Sequence, residues 1–180
     1  MKLTQFAAIT ALTLASAPAI ALVADEARSL ASINGSAWVF YGNNHTHQKV
    51  SDSTIPGKAA LRIVIPNDGG AASGATGQSP IKSAIKEGET VKVTVWLKGV
   101  TTASGTPAKA IIKLKDAAKP YGNYAEQTFD LANDWKPYSI DYLPQHDFPA
   151  GSLNMVVQLA LGRQTVDVGP AKAEIVSPTK

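Results

Sequence analysis

Few residues in this chain could carry acid–base or metal chemistry. Histidine occurs three times, as His45, His47 and His146. His45-Thr46-His47 sets two imidazoles on one side of an extended segment, which is the beginning of a metal pair. A catalytic zinc needs a third ligand and a neighbouring base. His146-Asp147 could supply them, but nothing in the spacing demands it, and a polar loop with solvated imidazoles is the simpler reading. The acids fall mostly in turns, as Glu87, Glu89, Asp116, Asp130, Asp134 and Asp147, with Asp141 and Asp167 in strand-like runs. No two are placed so that sequence alone makes them the acid and base of a glycoside cleavage. A serine nucleophile of the elbow type needs Gly-x-Ser-x-Gly, which is absent. The lack of cysteine excludes thiol catalysis, thiolate zinc sites and a disulfide scaffold. The residues therefore assign no catalytic role, leaving a small hydrolase as a minor reading, and they leave any metal unknown.

Aromatic residues on polar strand faces offer a different chemistry. In Thr90-Val91-Lys92-Val93-Thr94-Val95-Trp96-Leu97 the valines and Leu97 share one face, and Trp96 falls on the other with Lys92 and Thr94. An indole displayed among polar neighbours can stack on the C–H face of a pyranose while flanking groups bond its hydroxyls. By the same parity Arg62, Asn154 and Gln158 lie on polar faces of their own strands. If those strands share a sheet, Trp96 is the platform and the other three are the hydroxyl partners; the alternative is that a loop or helix covering that face buries Trp96. Tyr121-Gly122-Asn123-Tyr124 reads as a turn after Pro120, so Tyr121 and Tyr124 form a second aromatic pair at a loop tip, either to stack on a sugar or as a lid closing one end of the sandwich.

These positions need strands to hold them. Period-two apolarity runs through Ala60–Ile65, Thr90–Leu97, Lys109–Leu114, Gln127–Leu131, Tyr138–Tyr142, Leu153–Leu161, Arg163–Val168 and Ala171–Val176. Turn residues recur between them at short spacing, which predicts an all-β sandwich or barrel. Ile81–Lys86 is the one segment that could form a helical turn, between Pro80 and Gly88. Asn67 to Gly77 is small and glycine-rich and reads as a long loop.

The 180 residues suit one domain, and 44% are hydrophobic, although 28 alanines dilute the large apolar content. The net charge of +3 comes from lysines scattered along the chain, so no basic stretch marks a nucleic-acid partner. Lys2, the apolar run Phe6–Leu14 and the small residues of Ala19-Ile20-Ala21 have the form of a signal peptide over residues 1–21. That run is too short to span a bilayer, and no later run is apolar enough. The expected location is secreted or periplasmic.

Five segments in order resemble the secreted carbohydrate-binding modules of families four, nine and twenty-two. They are Trp38-Val39-Phe40-Tyr41-Gly42, Pro56–Ile63, Ile85–Lys98, Asp134-Trp135-Lys136-Pro137-Tyr138 and Gln164-Thr165-Val166-Asp167-Val168-Gly169-Pro170. The resemblance covers residues 29–176. It implies an antiparallel jelly-roll β-sandwich of the galactose-binding-domain-like type, with Trp38 and Trp135 in the core. It also implies non-catalytic recognition of a poly- or oligosaccharide, in association with a glycan-degrading enzyme such as a glycoside hydrolase. The alternative is an envelope structural or protein-interaction sandwich without sugar binding. Many members hold a structural calcium with an aspartate pair in the last strand. Gly169-Pro170 stands there in this chain, with Asp167 as the nearest substitute, and a Trp-Asp pair usual after the Pro66 strand is replaced by Gly69–Gly77.

Overall fold

The computed structural model describes residues 27–102 and 105–176. The signal-peptide segment falls outside the described residues. Eleven strands build two antiparallel sheets: β1 Arg28–Ile33, β2 Val39–Tyr41, β3 Thr46–Ser51, β4 Ala59–Ile65, β5 Thr76–Pro80, β6 Val91–Thr102, β7 Ala108–Asp116, β8 Asn123–Leu131, β9 Lys136–Tyr142, β10 Leu153–Gln158 and β11 Gln164–Ile175. The six-stranded sheet runs β3-β4-β11-β6-β9, with β1 also on β11. The five-stranded sheet runs β2-β5-β10-β7-β8. This is the expected antiparallel jelly-roll sandwich.

The core lies between the sheets. Leu61, Ile63, Ile65, Val91, Val93, Val95, Leu97, Val166 and Val168 come from the larger sheet; Ala110, Ile112, Leu114, Leu153, Met155 and Val157 come from the smaller. Each strand gives one parity to this layer, as alternation on a half-buried sheet requires.

The last strand shows how the pattern is kept through an irregularity. Inward residues are even-numbered up to Val168 and odd-numbered from Ala171, so the sequence reads as two strands. In the structure β11 is one strand: Val168 pairs with Leu97 and Ala171 with Val95, leaving Gly169-Pro170 opposite Trp96 alone. This is a β-bulge. The extra residue restores the apolar parity to the core, and Pro170, with no N–H, sits where the ladder is interrupted. Trp38 donates its Nε1–H to the carbonyl of Gly169 at 2.8 Å. Below the bulge β11 shares its edge with β4; above it, with β1.

Three expectations need correction. The Ile81–Lys86 segment forms no helical turn; Ile85 makes a single bridge to Phe148. The glycine-rich stretch is not loop to its end, because Ala72–Gly74 is a short 3-10 turn and β5 begins at Thr76. Gly77 is required there, since a Cβ would meet the Phe40 ring at 2.8 Å. Lastly, Trp38 is buried but Trp135 is only partly so and does not join the core cluster.

Candidate functional site

The two outer faces of the sandwich differ in what covers them. On the six-stranded sheet the segment joining β3 to β4 folds across the surface. Asp52 anchors it, accepting from the Thr54 N–H at 3.0 Å, the Thr54 hydroxyl at 2.6 Å and the Trp135 Nε1–H at 2.8 Å. Those bonds, the Thr54 hydroxyl first, hold the Asp52 carboxyl far below the usual carboxylate range. Lys98 adds its charge 3.7 Å away and lies 5.9 Å from the Trp135 ring centre. Ile55 is thereby buried over the β11 bulge. The Ile55 Cδ1, Trp135 Cζ3 and Trp96 Cβ atoms converge so closely on the Gly169 α-carbon that a Cβ there would lie 2.1, 3.1 and 3.2 Å from them.

Trp96 and Arg62 both belong to this covered sheet. Trp96 is partly buried beside Gly169. Arg62 is committed to Asp167, donating from Nε to Oδ1 at 2.7 Å and from Nη2 to Oδ2 at 2.9 Å. Asn154 and Gln158 lie on β10, in the opposite sheet. The four residues read from sequence as one platform are therefore divided between two surfaces. The sandwich core separates them, because the strands that carry them do not share a sheet.

On the five-stranded sheet the outward residues form three cross-strand rows. The first is Tyr41, Thr76, Gln158, Ile111 and Thr128; the second is Val39, Gln78, Val156, Lys113 and Glu126; the third is Pro80, Asn154, Lys115 and Asn123. Val156, at the centre, is 1% exposed although it faces outward. The long polar side chains around it close over it. Asn154 Nδ2 donates to Gln78 Oε1 at 3.3 Å, and Gln158 Nε2 reaches Thr76 Oγ1 at 3.4 Å. Lys113 bridges Glu126 at 3.0 Å, and that bond holds the Glu126 carboxyl below its ordinary value. The result is a floor of amides and hydroxyls with both donors and acceptors. At its β2 edge Tyr41 and Val39 remain 56% and 52% exposed. Together they form a small open apolar edge beside that floor.

Tyr121 and Tyr124 separate. Tyr121, in the left-handed conformation with φ 57°, is 49% exposed, and the Lys115 Nζ lies 4.8 Å from its ring centre. Tyr124 turns toward the sandwich end and packs against Phe148 and Tyr142, with centroids 4.9 and 5.6 Å away. Its hydroxyl donates to Asp116 at 3.0 Å; burial, then that bond, pushes the phenol pKa up. It closes the end of the fold rather than lining the open face. Tyr41 was missed from sequence, although its parity was visible: it alternates with buried Phe40.

The calcium implied by the resemblance does not fit these residues. Both oxygens of Asp167 are taken by Arg62, and Gly169-Pro170 offers no side-chain oxygen. Among the described residues no group of three His, Cys, Asp or Glu could hold a metal ion. His45 and His47 stack at 5.7 Å without a third ligand. No helix of the described residues is long and apolar enough to cross a membrane.

Solved structures share this architecture. The CBM22-1 xylan-binding domain of Paenibacillus barcinonensis Xyn10C superposes with TM-score 0.57 at 13% identity, covering 85% of this chain and 97% of that one. A CBM4 structure gives 0.52 at 18% identity over 79% and 93%. The CBM22-1-GH10 modules of Clostridium thermocellum xylanase 10B, complexed with xylohexaose, give 0.55 at 13%, over 86% of this chain and 28% of that one. Among curated proteins none matches the sequence. The family model described as Carbohydrate binding domain, that of module families four and nine, matches residues 31–163, and with most of the chain inside that match the protein belongs to this family.

Proposed function

We propose that the chain, a non-catalytic carbohydrate-binding domain, binds a poly- or oligosaccharide across the outer face of its five-stranded sheet. The observation that carries this placement is the pairing of an exposed Tyr41 and Val39 with the polar floor of Gln78, Asn154, Gln158 and Thr76. A pyranose presents an apolar C–H face and a ring of hydroxyls. Tyr41 covers the first, and the amides exchange hydrogen bonds with the second. On the six-stranded sheet the β3–β4 segment and Trp135 cover the ground around the β11 bulge where Trp96 lies. Tyr41 and Lys115 lie three strands and four residues apart, about 20 Å on the diagonal, which accommodates several sugar units.

The xylan-binding and xylohexaose-bound relatives make xylan and its oligomers the first ligands to try, and they place modules of this shape beside glycan-degrading enzymes. Association of this chain with such an enzyme, and export after cleavage behind Ala21, complete the proposal. N-terminal sequencing of the protein from its host would show Leu22 first. Affinity electrophoresis and calorimetry against xylan, β-glucan, galactan and alginate test the binding. Tyr41→Ala should weaken the bound glycan about ten-fold, or ~1.4 kcal/mol, with the melting temperature unchanged. Unaltered affinity in Tyr41→Ala and in Asn154→Ala with Gln158→Ala would refute the assigned face.

A further inference from the structure

We infer that the glycan is an acidic one, a polysaccharide carrying uronic-acid carboxylates, and that the corner formed by Lys115 and Tyr121 receives its charge; this rests on the sugar-binding face proposed above. The charge pattern of β7 is broken at one place. Its outward lysines, Lys109, Lys113 and Lys115, form a column. Lys109 is bridged by Asp130 and Lys113 by Glu126, each the residue directly opposite on β8. Such cross-strand opposite charges are the ordinary way a sheet neutralises a basic column. Lys115 instead faces Asn123, whose amide donates to Glu126 at 2.7 Å. Neighbouring Asp116 is turned away, its oxygens accepting from the Gly122 N–H and the Tyr124 hydroxyl, both at 3.0 Å.

Lys115 therefore has no carboxylate in bridging range among the described residues, and neither has Lys119 in the following turn. Lys82 is the third. It follows Pro80 with the same outward parity, because Ile81 between them is buried and bonded to Leu153, and it too lacks an acidic partner. Lys115 thus stands unbridged beside a ring half open to solvent, with exposed Lys119 two residues before that ring in the chain and exposed Lys82 two residues beyond the Pro80 row. A uronosyl residue matches both features. Its C–H face packs on Tyr121, its carboxylate, ionised at neutral pH, is met by Lys115 Nζ, and Asn154 in the same row reaches its hydroxyls.

The test pairs each of several uronan hexamers (galacturonan, mannuronan, guluronan and glucuronan) with its carboxyl-reduced counterpart, in calorimetry with the full chain. At least one uronan should bind about ten-fold tighter than its reduced form, and the excess should fade as salt rises to several hundred millimolar. Lys115→Met keeps an unbranched side chain of similar length beside Tyr121 and removes the charge. It should abolish most of the uronan preference, read as the ratio of uronan to reduced-form affinity, with the melting temperature unchanged. Should that variant fold poorly, Lys82→Gln with Lys119→Gln must erode the same preference. Equal binding of every uronan and its reduced form overturns the acidic-glycan inference and leaves the face standing. Failure of all glycans, acidic and neutral, overturns both.

Discussion

Arg62 separates two accounts of this molecule most cleanly. As a hydroxyl partner it would matter for ligand and little for folding; as the structure has it, the reverse holds. Asp167 is 2% exposed, and both of its oxygens are satisfied by one guanidinium. Arg62→Met keeps much of the aliphatic stem and leaves that carboxylate without its partner. Breaking a buried pair from one side costs about 3–5 kcal/mol. The Arg62 side chain is a third open, so water reaches the vacated space, and the lower end of the range, ~3 kcal/mol, is the reasoned value. At about 2–4 °C per kcal/mol for a domain of this size, the melting temperature should fall by roughly 6–12 °C. Arg62→Met with Asp167→Leu removes the stranded charge and should recover most of the loss. Guanidinium titrations at pH 7, with glycan calorimetry on each variant, measure all of this. A single variant within ~1 kcal/mol of the parent at pH 7, with glycan affinity lost, would show that the ligand meets the six-stranded sheet and that the division of faces is mistaken.

Trp96→Ala should lower the melting temperature and leave glycan affinity unchanged, since the indole lies beside Gly169 on the covered face; weaker binding with intact stability would reverse that assignment. Gly35→Ala should cost at least ~3 kcal/mol by chemical denaturation, because its Cβ would lie 2.2 Å from the Ala59 carbonyl oxygen and 2.9 Å from the Gly169 backbone, atoms that no side-chain rotation can move. Asp52 has a folded pKa held below its unfolded value of about 3.9. Its contribution is therefore complete above that value and is lost as pH falls toward the folded one. Asp52→Asn should flatten the acid limb of a melting-temperature curve; an unchanged acid limb would mean that the anchor carries no stability.

The sheet-forming segments were legible because most strands obey a single period. Ala60–Ile65, Lys109–Leu114 and Tyr138–Tyr142 fall inside β4, β7 and β9. What escaped were strands without an apolar alternation to read. β3 is almost wholly exposed at the sheet edge, so Thr46–Ser51 has no core face, and His45-Thr46-His47 looked like loop. In β5 the inward places are filled by Gly77 and Ser79, small residues chosen for what lies against them. β11 misled in the opposite way: its parity reverses at Gly169-Pro170, and only pairing with β6 shows that a bulge carries one strand through.

The same distinction explains why the site was half-read. Parity along one strand tells which residues turn from the core, and on that count Trp96, Arg62, Asn154 and Gln158 were all correctly turned outward. It cannot tell which of two outsides they reach, since a sandwich has two, and sheet membership is fixed by pairings between residues far apart in sequence: Arg62 opposite Asp167, Gln158 opposite Thr76. Nor does parity reveal what else lies on a face. The loop that lies over the β11 bulge is pinned by Trp135 and Asp52, 83 residues apart. Charge gives a long-range clue that period does not. A lysine column with opposite acids at two of three places, as on β7, identifies a pair of neighbouring strands and marks the place left uncompensated. The neutralised positions hold the sheet together, and the exception at Lys115 is where a ligand's own charge would be felt.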